Sequence, residues 1–138
     1  IMGVKNEDIV AALTDFKGIK HRVKLLGEVN GVAYIDDSKG TNVDATVKAV
    51  EMMQRETVIL LGGKNKGYDY GKLFATLHKS KIIHAVLYGE NRFSLLKSAR
   101  ENDFLSVTNA FNSASVSPKS IVTSFCPVAF KSASVIFV

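Results

Sequence analysis

"TVILLGGKNKGYDYGKLFATLHKSKIIHAVLYG", residues 57 to 89, decides the fold. "TVILLGG" is a continuous apolar run closed by two glycines, the pattern of a strand buried on both faces. "YGKLFATLHK" follows with apolar residues at helical spacing. "IIHAVLYG" is a second buried strand, and "NRFSLLKSAREN" beyond it a second helix. Strands alternating with helices predict an α/β protein with a mainly parallel, Rossmann-like sheet flanked by helices.

Moving toward the N-terminus, "NVDATVKAVEMM" spaces Val43, Val47, Val50 and Met53 for one helix face, with Asn42 as cap and Asp44 near the positive end of the dipole. "RVKLLGEVNGVAYID" places two apolar runs around Asn30-Gly31, a dipeptide suited to the positive φ values of a tight turn, and predicts an N-terminal β-hairpin over 22–36. "NEDIVAALTDFKG" reads as a first helix capped by Asn6, with Ile9, Leu13 and Phe16 on one face and Gly18 at its stop. From about Phe104 the texture changes: the tail is rich in serine and apolar residues, carries only Lys119 and Lys131, and has no acids. No internal repeat is visible.

A chain of 138 residues suits one core. No apolar run approaches the roughly 20 residues of a membrane span, and the first residues lack a secretory signal pattern, so the expectation is a cytoplasmic protein with no membrane contact. Cys126 is the only cysteine and is read as a packing residue. A net charge of +5 favours anionic partners. The lysines form no dense run with interleaved aromatics, which argues against nucleic acid.

Ligands of open α/β sheets bind at the carboxyl ends of strands. Two loops qualify. In Asp36-Asp37-Ser38-Lys39-Gly40-Thr41-Asn42, Gly40 permits close backbone approach, Lys39 can neutralise an anion, Thr41 can donate a hydrogen bond, and Asp37 suits ribose hydroxyls. In "GGKNKGYDY", residues 62 to 70, Lys64 and Lys66 project from a tight loop able to hold a carboxylate or phosphate. That loop is not a Walker A motif, because Tyr68 follows Gly67. Asp37, Ser38 and Asn42 equally suit caps and turns, and the two lysines suit a solvated loop. His21, His78 and His84 share no metal-ligand spacing, and His84 reads as a packed or edge residue.

Three motifs in order carry a family resemblance: His21-Arg22 before the hairpin, Asp37-Ser38-Lys39-x-Thr41-Asn42 after it, and Gly62-Gly63-Lys64-x-Lys66-Gly67 after the next strand. Over residues 1 to about 102 the chain resembles the C-terminal domain of the bacterial Mur ligases, in particular those that add D-glutamate to UDP-N-acetylmuramoyl-L-alanine. Related ligases, including folylpolyglutamate synthetase, carry an Asp-Tyr-Ala-His type of loop where this chain has Asp37-Ser38-Lys39. A free-standing nucleotide- or anion-binding module is the alternative from another class.

The resemblance implies residues 1–17 as the end of a central ATPase domain or a linker helix, and 18–138 as the C-terminal domain. It implies an ADP-forming ligase of peptidoglycan synthesis that uses ATP and Mg2+ to make an acyl phosphate, which the D-glutamate amine attacks. Carried over by motif, Arg22, Asp37 and Lys39 contact the nucleotide, while Thr41 and Lys66 hold D-glutamate. The P-loop, magnesium ligands and modified lysine belong to other domains, so a monomeric piece inactive alone, with no catalytic or metal-ligating residue, is expected.

The tail departs from the family. Its apolar strand and "LSPACASFD"-like loop have no counterpart beyond a loose "SIVTSFCP", so no binding residue is assigned after Lys66; if the tail is altered, the last strand and helix of the sheet are expected to be missing or misplaced. One hypothesis is a shifted reading frame: allowed codons for Ser120 to Cys126, read displaced, spell His-Cys-Asp-Val-Val-Leu-Ser. Sequencing the encoding DNA tests it.

Overall fold

The structure, a computed structural model, describes residues 3–109 and 133–138. In chain order the elements are α1 (Asn6–Asp15), β1 (Lys24–Val29), β2 (Val32–Asp36), α2 (Val43–Glu51), β3 (Thr57–Leu61), α3 (Gly71–His78), β4 (Ile82–Leu87), α4 (Arg92–Glu101), β5 (Val107–Asn109) and β6 (Ala133–Phe137). The hairpin and the β3-α3-β4-α4 alternation lie where the sequence places them. "SIVTSFCP", Cys126 and the codons considered for a shifted frame fall outside the described residues.

Six strands form one sheet in the order β1-β2-β6-β3-β4-β5. Only β1 runs antiparallel, to β2, around the Asn30-Gly31 turn. Asn30 has φ 52° and Gly31 φ 80°, the left-handed values expected of that dipeptide. All other pairings are parallel.

The strand that an altered tail would remove is present at the middle of the sheet. The tail supplies a strand: Ala133–Phe137 pairs with Val32–Asp36 on one side and Ser134–Phe137 with Thr57–Leu60 on the other. Its sequence, "ASVIF", offers a β-branched pair, Val135 and Ile136, that packs on opposite faces of the sheet. The Ser134 amide bonds the Glu56 carbonyl at 2.8 Å and starts the pairing with β3.

The larger core lies on the face covered by α2, α3 and α4. Val47 and Val50, Leu73, Phe74 and Leu77, and Leu95 and Ala99 pack on Ile59, Leu61, Ala85, Leu87 and Ile136. Val32, Leu60, Val86 and Val135 form a smaller cluster on the other face. At the far edge, His84 on β4 meets the hydroxyls of Ser106 and Thr108 at 2.8 and 2.9 Å, as a packed edge histidine would.

The first helix differs from expectation in its cap. Asn6 is its first residue, and Lys5 at the cap position makes no side-chain bond. Its apolar face is where the spacing puts it but is open: Leu13 is 69% and Phe16 62% exposed, and none of its residues is buried. Among the described residues, no helix is long and apolar enough to cross a membrane.

Phe74 is fully buried, so Phe74→Ala should lower the unfolding free energy by about 3–5 kcal/mol through lost transfer energy and a residual cavity. Leu105→Ala, at an exposed position, should change it by less than about 0.5 kcal/mol. Urea denaturation of the two variants beside the parent chain measures both.

Candidate functional site

Three parallel strands, β2, β3 and β4, end at the same edge of the sheet, with β6 between the first two, and each hands the chain to a helix through a loop: 37–42 between β2 and α2, 62–70 between β3 and α3, and 88–91 between β4 and α4. The helix N-termini therefore gather at one edge of the sheet. Their unpaired amides and the positive ends of their dipoles face the same region. A cavity of about 350 Å³ opens there, bordered by Thr41 and Asn42, Lys64 and Lys66, Tyr68, and Asn91 among others. Two lysines and three helix ends suit the cavity to an anion, and its apolar wall of Leu73, Leu95 and Val138 suits a small organic one.

Loop 37–42 is fastened from within. Asp37 is buried, and its Oδ1 accepts a hydrogen bond from the Val23 amide at 3.0 Å. The Gly40 amide bonds the Asp37 carbonyl at 2.7 Å. A Cβ on Gly40 would lie 2.5 Å from Asp37 Oδ2, so the glycine makes room for that carboxylate. The close approach expected at Gly40 is thus made by the loop itself. Asn42 caps α2 as read, its Oδ1 accepting from the Ala45 amide at 2.8 Å.

Asp36 is a site residue that the sequence reading passed over. It accepts from the Ser38 amide at 2.9 Å and contacts His21 Nδ1 at 2.6 Å. Lys39 in turn donates its amide to the His21 carbonyl at 3.0 Å. These bonds hold a strained segment, since His21 and the β-branched Val23 have φ of 64° and 40°. Arg22 projects from between them. Extending the hairpin register past Lys24–Asp36 sets residues 21–23 opposite 37–39, one position away from the 38–40 that counting outward from Asn30-Gly31 gives, because of the bulge between Leu25 and Gly27.

The two aspartates differ electrostatically. Hydrogen bonding from Ser38, with His21 contributing less, holds Asp36 below the ordinary carboxylate range. Burial pushes Asp37 above it, against the opposing pull of the Val23 amide and the Arg22 charge.

Loop 62–70 is shaped by close packing. Gly62 lies against the Tyr88 ring, where a Cβ would come within 2.6 Å. Lys66 Nζ reaches the Thr41 carbonyl at 3.4 Å and so ties this loop to loop 37–42. Asn91 Nδ2 donates to the Tyr70 hydroxyl at 3.2 Å, and its buried Oδ1 has no partner among the described residues. Of the residues expected to bind ligands, Thr41 and Lys66 meet in the cavity wall; Arg22, Asp37 and Lys39 stand outside it, on the other side of loop 37–42. Among the described residues, no group of three or more His, Cys, Asp or Glu side chains could hold a metal ion.

A mostly parallel sheet with an anion-friendly cavity at its carboxyl edge defines a Rossmann-like ligand-binding domain. Residues 21–122 match the family described as Mur ligase, glutamate ligase domain, and the chain belongs to that family. It is 41% identical over 104 residues to a UDP-N-acetylmuramoylalanine--D-glutamate ligase from Alkaliphilus metalliredigens, covering 75% of this chain and 23% of that protein. The ligase of the same name from Citrifermentans bemidjiense is 47% identical over 79 residues, covering 57% and 17%. The chain thus spans less than a quarter of the length of these curated relatives. Its fold is similar to a murein peptide ligase from Psychrobacter arcticus, with a TM-score of 0.61 and 20% identity over 98% of this chain and 30% of that one.

Two predictions test the loop. Gly40→Ala should destabilise by about 1–3 kcal/mol, because the methyl group must displace the Asp37 carboxylate or the loop; a melting temperature equal to the parent's would show that the loop yields freely. The aspartates should separate by pH. With its folded pKa lowered, Asp36 contributes stability above its unfolded value near 3.8, lost as pH falls through the folded value. With its folded pKa raised, Asp37 costs stability as pH rises from about 3.8 through its folded value. At neutral pH, Asp36→Asn should therefore melt lower than the parent, whereas Asp37→Asn, which keeps an acceptor for Val23, should melt at or above it.

Proposed function

We propose that this chain is the C-terminal domain of the ligase that joins D-glutamate to UDP-N-acetylmuramoyl-L-alanine in peptidoglycan synthesis, and that its cavity holds the amino acid. The observation that carries this reading is the meeting of Lys66 and Thr41 across two loops at an anion-friendly cavity. The names of the relatives supply the substrate class.

In the proposed reaction the γ-phosphoryl group of ATP passes to the carboxylate of the nucleotide-linked substrate, giving an acyl phosphate and ADP. The D-glutamate amine then attacks the acyl carbon; a C–N bond forms, the C–O bond to phosphate breaks, inorganic phosphate leaves, and the amine loses a proton to solvent. The domain's part is positional. Lys66 as a cation and Thr41 as a hydroxyl donor fix the carboxylates of D-glutamate, so the amine meets the acyl phosphate in an oriented encounter.

Arg22, Asp37 and Lys39 form the nucleotide side in this reading. Arg22 and Lys39 offer positive charge to phosphates, while Asp37, with Oδ1 given to Val23, has Oδ2 left for a ribose hydroxyl. Magnesium finds no fit among the described residues, so its charge neutralisation at the phosphates falls to the rest of a full-length ligase, which the reading places in the cytoplasm as a monomer. Residues 1–17 are proposed as the end of the ATPase domain or a linker helix. What supports that boundary is the open apolar face of α1 and the left-handed Gly18, φ 77°, beyond it.

In the full-length ligase carrying this domain, Lys66→Ala should raise KM for D-glutamate about tenfold or more, the worth of a charged hydrogen bond, and leave KM for ATP within about twofold. Arg22→Ala should do the reverse. The chain by itself should release no phosphate from ATP when given both substrates. If Lys66→Ala changes neither constant, the assignment of the cavity to D-glutamate is wrong; turnover by the chain alone would remove its status as one part of a larger enzyme.

A further inference from the structure

Lys66 lies in a loop without secondary structure, and a lysine on such a loop loses up to about 2 kcal/mol of side-chain entropy when a ligand fixes it. Here its ammonium already has two neighbours. The Thr41 carbonyl lies at 3.4 Å and the centroid of the Tyr68 ring at 6.0 Å, within reach of the attraction between a cation and an aromatic face. Gly67, with φ 68°, turns the chain between the two residues.

The ring is itself braced. Tyr68 meets Tyr70 edge-on, centroids 6.4 Å apart and planes at 79°, and Tyr70 is buried with its hydroxyl bonded to Asn91 at the start of α4. Contacts thus run from a fixed helix end through two tyrosines to the ammonium. Tyr68 is 41% exposed at the cavity's border and belongs to neither hydrophobic cluster, so core packing does not account for it.

We propose that Tyr68 is a positioning residue for Lys66, holding the ammonium at the cavity before the amino acid arrives. This rests on the reading of Lys66 as the D-glutamate contact. The quadrupole of the ring, rather than the phenol hydroxyl, does the holding, and it acts on the ground-state encounter with the carboxylate. The effect therefore falls on KM for the amino acid and not on kcat or KM for ATP.

The test is steady-state kinetics of the full-length ligase with Tyr68→Leu, Tyr68→Phe, Lys66→Ala and the Lys66→Ala/Tyr68→Leu pair. Tyr68→Leu should raise KM for D-glutamate about two- to fivefold, with kcat and KM for ATP unchanged, and Tyr68→Phe should restore the parent value. The double variant should be no worse than Lys66→Ala alone, since the ring acts through the lysine. Melting temperatures should stay near the parent's, because Tyr68 is a surface residue. An unchanged KM in Tyr68→Leu, a Tyr68→Phe as impaired as Tyr68→Leu, or additive losses in the pair would overturn the proposal. If Lys66→Ala raises KM while Tyr68→Leu does not, the positioning role alone fails; if Lys66→Ala has no effect either, the underlying reading of the cavity fails.

Discussion

The hydrogen bonding of β6 between β2 and β3 is the constraint on which the rest depends. Without that strand the hairpin would have no parallel partner, and the three-stranded β3-β4-β5 unit would end in an open edge. With it, the loops after β2 and β3 leave the sheet two strand spacings apart, roughly 10 Å. Loop 62–70 and the lysine stem together cross that distance, and Lys66 reaches the Thr41 carbonyl. Val138, just past β6, bonds Leu60 through its amide and closes the base of the same cavity.

This dependence explains what could and could not be read in advance. The β3-α3-β4-α4 alternation was legible because both strands are continuous apolar runs and both helices have a clear stripe; local pattern and global position agree there. The Asn30-Gly31 turn was legible because few dipeptides tolerate its backbone. The tail strand was not. Its partners lie 101 residues earlier on one side, from Ala133 to Val32, and 77 on the other, from Ser134 to Thr57, and a serine-bearing pentapeptide gives no sign by itself of being central in a sheet. The cap of α1 was misplaced by one residue for a simpler reason: Asn6 has a good capping side chain, but none of the helix's residues is buried to fix where its first turn begins.

Within the site, residue type revealed the anion-friendly loops but not the bonds inside them. Asp37 reads as a ligand-binding carboxylate, yet one of its oxygens already serves Val23, and Gly40 is needed to admit the other. Asp36 reads as the end of a strand, yet it ties His21 and Ser38 together. The contacts to Val23 and His21 follow from the hairpin register extended past Lys24–Asp36, which the bulge between Leu25 and Gly27 shifts by one position, and neither spacing along the chain nor the turn position displays that shift.

The internal bonding of loop 37–42 also gives it two sides. Ser38, Gly40, Thr41 and Asn42 border the cavity, while Asp37 and the Lys39 amide are engaged with residues 21–23. On the proposed reading, amino acid lies on one side and nucleotide on the other, with a partition of a few residues between them. The two sides are joined through the bond from the Gly40 amide to the Asp37 carbonyl. Binding on the nucleotide side that drew on Asp37 would strain its bond to Val23 and press on Gly40, the neighbour of Thr41.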